Sequence, residues 1–113
     1  MKGGEEDTMK AITYYFSLFS ESRYSGLRLH ETGEDAVKTI KRDSKSLFQF
    51  PYIAKDNMKL KKGKVVTIGF PTRRLIARYL TDEEMSLYEK YGRDCLFDHE
   101  TQELCAPEET KKD

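Results

Sequence analysis

Twenty Lys and Arg balance twenty Asp and Glu in this 113-residue chain, where 37% of residues are hydrophobic and 35% charged, so one small core under a densely charged surface is expected. No run approaches the ~18 apolar residues of a spanning helix, and two cysteines do not make a disulfide scaffold. The acidic opening MKGGEEDT lacks a secretory layout, so the expectation is a cytoplasmic protein with no membrane partner.

Residues 1–8 and 106–113 are polar and charged without apolar periodicity and read as disordered tails around a single domain at 9–105. From Ala11 to Phe19, Ile12, Tyr14, Phe16 and Leu18 alternate with Thr13, Tyr15 and Ser17, a period of two that predicts a strand. Ser20–Gly26 reads as a loop and Leu27–His30 as a short return strand, so the two should form a hairpin. Thr32 can cap a helix, with Glu34 and Asp35 in its first turn and Ala36, Val37 and Ile40 as its apolar stripe.

Leu47 to Ala54 is apolar and aromatic, but Pro51 lacks an N–H, which predicts an edge strand or a bent segment. Lys55–Lys64 is a basic connector that closes on the turn signal Lys62-Gly63-Lys64. Val65–Phe70 follows as an interior strand. The next stretch is ambiguous: Leu75, Ile76, Tyr79 and Leu80 fit a helical stripe, whereas Leu75, Ala77 and Tyr79 fit one face of a strand. A hairpin turn at Pro71-Thr72-Arg73 favours the strand, and in either case Arg74 and Arg78 project together. Thr81 and Glu84 form a capping box for a helix that carries Met85 and Tyr88 and stops near Gly92. Cys95–Cys105 reads as a final hairpin turning around Asp98–Gln102. The class is α+β: a small, mostly antiparallel sheet or open barrel with two helices and a C-terminal hairpin.

Charge is sorted along the chain. Ser44–Leu80 holds nine bases and one acid, and Thr81–Asp113 holds eleven acids and four bases. Such asymmetry bears on partners rather than on fold. The strongest candidate site is a nucleic-acid-binding face of Lys59, Lys61, Lys62, Lys64, Arg74 and Arg78, with Tyr52, Phe70 and Tyr79 as stacking platforms. Cations for phosphates and aromatic rings for bases are what a surface for RNA or for single strands requires. The alternative is a protein-interaction module or homodimer that sets the basic middle against an acidic third.

Chemistry finds less support. Cys95, His99 and Cys105 lack the paired spacing of a structural zinc site, so no metal is assigned, although a cross-hairpin disulfide is geometrically conceivable. His30 reads as a surface residue at a strand end. No nucleophile–base set and no phosphate-binding glycine loop is present, so neither catalytic residues nor a cofactor are expected. The basic turn leading into Val65–Phe70 resembles the middle of small PUA-like RNA-binding barrels over a short stretch without a specific motif. The resemblance therefore carries over no residue role.

Overall fold

The computed structural model describes residues 8–48 and 58–107. The readings of residues 1–7 and 108–113 as tails, of the bent segment around Pro51, and of Tyr52 as a platform lie outside the described residues. The elements, in chain order, are β1 (Ala11–Ser17), β2 (Tyr24–His30), α1 (Gly33–Leu47), β3 (Val65–Phe70), β4 (Arg73–Tyr79), α2 (Asp82–Tyr91), a short 3-10 turn (Gly92–Asp94), β5 (Leu96–Asp98) and β6 (Glu103–Cys105). They fall into two compact units, residues 1–79 and 80–113. The class is α+β, as expected, with a four-stranded antiparallel sheet that does not close and a separate two-stranded hairpin.

In the first unit the strand order is β2-β1-β4-β3, every pairing antiparallel. Strand alternation gives the sheet two faces. Ala11, Leu75, Ala77 and Ile68 point toward α1 and meet Ala36, Val37, Ile40, Phe48 and Leu60 in one cluster. Ile40 and Ile68 are fully buried there, and truncating either to Ala should cost about 2–5 kcal/mol. The opposite face carries Ile12, Tyr14, Phe16, Leu29 and Ile76, which are also buried. On that face Tyr24 packs edge-on against Tyr14 and tilted against Phe16, with ring centroids 5.4 and 5.3 Å apart.

The cap of α1 forms as its sequence predicts: the Asp35 N–H donates to the Thr32 hydroxyl at 3.0 Å. The helix runs to Leu47, and Phe48 leaves it in an extended conformation while its N–H still donates to Ser44 O. Leu47 and Phe48 are thus a helix end and its cap, not the start of a strand. The Phe48 ring fills the core against Phe70, which holds the chain to the helix one turn further than the apolar pattern suggests.

Two further expectations need correction. The Val65–Phe70 strand was expected inside the sheet; it lies at the edge of the described sheet, with β1 and β4 in the middle. Its apolar run misleads because only Ile68 is buried and Val66 partly so, while Val65 is 56% and Phe70 43% exposed. β2 begins at Tyr24, earlier than Leu27, because the register slips by one residue between Thr13 and Tyr15. That bulge lets the strand continue past Gly26.

The second unit is built on one carboxylate. Thr81 and Glu84 form the capping box, and the other oxygen of the buried Glu84 side chain accepts the Leu104 N–H of β6 at 2.8 Å. In the β5–β6 turn, Asp98 Oδ1 accepts the Glu100 N–H at 2.9 Å, and the Gln102 N–H donates to Asp98 O at 2.7 Å.

Candidate functional site

From Met58 to Leu80 the sequence supplies seven bases and no acid. Four of the bases, Lys59, Lys61, Lys62 and Lys64, are exposed on and before the turn that leads into β3. The Lys64 N–H donates to Lys61 O at 3.0 Å, and Gly63 holds φ +78° at the third turn position, a conformation that favours glycine. Among the described residues, the ion pairs Lys10–Glu31, Arg28–Asp43, His30–Asp35 and Arg42–Asp43 take up none of Lys59, Lys61 and Lys64.

The register assigns the arginines to different ends of the β3–β4 hairpin. Arg78 stands opposite Val65, beside the lysine turn, whereas Arg74 stands opposite Gly69, beside Pro71. Four residues of strand separate those rows by about 13 Å. Arg74 and Arg78 share the face opposite α1, since they pair with Phe16 and Ile12 of β1. The register thus puts Arg78 at the end of the hairpin where the lysine turn enters β3, and Arg74 at the other end.

Both arginines also have local partners. Arg78 Nη1 donates to Tyr79 O at 3.1 Å. Arg74 Nη1 donates to Pro71 O at 2.6 Å, with its guanidinium 4.3 Å from the centre of the Phe16 ring.

Of the described aromatic candidates, Phe70 is 43% exposed and meets Phe48 edge-on at 5.5 Å. Tyr79 is half-buried against the α1 core, its ring so close to Gly33 that a Cβ there would lie 2.6 Å from the ring carbon Cζ.

His30 departs from the sequence reading. It is buried, 6% exposed, because strand alternation turns it toward α1 on the same face as Thr13. Its Nδ1 lies 2.7 Å from Asp35 Oδ2 and its Nε2 2.9 Å from the Thr13 hydroxyl. A carboxylate only accepts, so Nδ1 carries the proton. This Thr–His–Asp row has the connectivity of an acyl-transfer relay, but Thr13 is fully buried, which closes its hydroxyl to a substrate. The row therefore ties β1, β2 and the first turn of α1 together. Asp35 standing five residues after His30 was the available signal.

The thiols are unsuited to nucleophilic work. Burial and then the neighbouring Asp94 push the Cys95 thiol up, and burial followed by Asp98 and Glu103 does the same for Cys105. Both cysteines are free. Among the described residues no three His, Cys, Asp or Glu side chains are grouped to hold a metal. No described helix is long and apolar enough to cross a membrane. No family model matches the chain, and neither curated proteins nor solved structures provide a match.

Proposed function

We propose that this chain is a small non-enzymatic binding protein of the cytoplasm that engages nucleic-acid phosphates through its basic hairpin. The residues are Lys59, Lys61, Lys62, Lys64 and Arg78, with Arg74 as an outlying contact; RNA and DNA both suit a surface of this kind. One observation carries the reading: four exposed lysines gathered at one turn, in a stretch of sequence without a single carboxylate. Exposed ammonium groups gain most from a polyanion, because docking releases the counterions condensed on its phosphates. Arg78, one strand over from the turn, adds a guanidinium to the same end of the hairpin.

The test is binding of labelled RNA and DNA oligonucleotides as salt is raised. Four to six phosphate contacts on a single strand give a log–log slope of about −0.7 per contact, a loss on the order of a hundredfold between 50 and 200 mM salt. The combined variant Lys61→Glu, Lys62→Glu, Arg78→Glu should abolish binding while retaining the native circular dichroism. Unchanged affinity in that variant rules out this surface.

The segregation of eleven acids after Leu80 favours one other reading, a homodimer or protein-interaction module that pairs the basic stretch of one molecule with the acidic stretch of another. It would appear in sedimentation as a concentration-dependent mass without nucleic acid.

A further inference from the structure

The hairpin end opposite the lysine turn holds a second, different surface. Phe19, just past β1, is 77% exposed, Leu18 48% and Phe70 43%. The pairing brings the segments that carry them side by side. Phe70 stands opposite Arg73, Arg73 opposite Ser17, and the Leu18 N–H donates to Thr72 O at 2.8 Å. The loop after β1 therefore lies beside the β3–β4 turn, and the row Phe70–Arg73–Ser17 spans about 10 Å across three strands. Residues 17–24 and 69–74 contribute three bases, Arg23, Arg73 and Arg74, against one acid, Glu21.

A phenylalanine ring left this open to water gains nothing from burial and contributes nothing to the core. Its flat face suits a nucleobase, which presents a π-face whatever its sequence, and the exposed Arg23 and Arg73 of the same segments can meet the phosphates.

We propose that this tip is a base-stacking site for single-stranded nucleic acid, with Phe19 and Phe70 as platforms and Arg73 and Arg23 as phosphate contacts. The proposal rests on the phosphate-binding reading of the hairpin and specifies its substrate: a single strand running along β3 from the lysine turn to the tip. From Val65 to Phe70 that path is about 17 Å, the rise of about five stacked nucleotides. A duplex keeps its base faces covered and can use only the lysine end.

The chain contains no Trp, so Phe19→Trp introduces a single reporter at the tip. Its emission should be quenched by an oligonucleotide of about 15 nucleotides, within the range one such surface occupies, and left unchanged by the matching duplex. Phe19→Ala should weaken single-strand affinity about tenfold with the salt slope unaltered, because stacking releases no counterions. Phe19 is exposed, so this variant keeps its fold; Phe70→Ala, whose ring touches Phe48, is read together with its circular dichroism.

Wild-type affinity in Phe19→Ala, alongside loss of binding in the lysine variant, overturns the stacking site and leaves the phosphate reading standing. Absence of any polynucleotide binding by the wild type overturns both. Phe19-dependent self-association with unchanged oligonucleotide affinity also overturns the stacking site and makes the tip a protein contact.

Discussion

Glu84 is the side chain on which the second unit most depends. One oxygen accepts the Thr81 N–H at the start of α2 and the other the Leu104 N–H of β6. Glu84→Ala leaves two backbone donors without an acceptor, and urea unfolding followed by circular dichroism should show a loss of about 1–3 kcal/mol. Glu84→Gln, which keeps one carbonyl oxygen and turns an NH₂ toward the other donor, should fall between. The thiols give a pH dependence of definite sign. Because burial and nearby carboxylates raise Cys95 and Cys105 in the folded chain, the native state holds these protons more tightly than the unfolded one. Their contribution is complete below the ordinary thiol value of about 8.5 and is lost as pH climbs through the raised folded values. Stability measured from neutral to strongly alkaline pH should fall less steeply in the double Cys→Ser variant, and native thiols should react with iodoacetamide more slowly than those of the urea-unfolded chain.

Among the elements, β3 shows how backbone and packing act together. Gly69 sits at φ +131°, where a side chain is strained, and a Cβ there would lie 2.6 Å from Arg73 O and 2.8 Å from the Phe48 ring. Gly69→Ala should destabilise the fold by about 2–4 kcal/mol, read as a lower midpoint in thermal unfolding. Such local constraints separate what was legible in the sequence from what was not. Alternation disclosed β1, Thr32 and Thr81 disclosed both helix starts, and Pro71-Thr72 disclosed the β3–β4 turn, because each signal lies within a few residues of its consequence. The edge position of β3 depends on which strands flank β4, a long-range choice that the run VVTIGF does not encode. The same holds for the site. The Lys61–Lys64 turn was readable, whereas the burial of His30 against Thr13 and the approach of the loop after β1 to the β3–β4 turn follow from cross-strand register.

At the scale of the whole molecule the opposed charges make a demand on binding that a uniformly basic protein escapes. The chain is neutral overall, with a sequence pI of 6.7, so a distant polyanion feels little net force. At 0.1 M salt the screening length is about 10 Å, and a docked phosphate senses only the charges within roughly that distance of it. At 0.01 M that length grows to about 30 Å, so charges screened at higher salt are felt, and repulsion from the eleven acids after Leu80 counts for more wherever they stand. The plot of log affinity against log salt should therefore be straight above roughly 0.05 M and flatten below it, where counterion release alone predicts a constant slope. Replacing the exposed Glu100 and Glu103 by Gln, together with deletion of residues 108–113, removes five of those acids along with Lys111 and Lys112, a net loss of three negative charges, and should restore part of the slope at low salt without changing it at high salt. A slope that stays constant in the wild type down to 0.01 M means that the acidic segment exerts no influence on the bound strand, and the two charge blocks act independently.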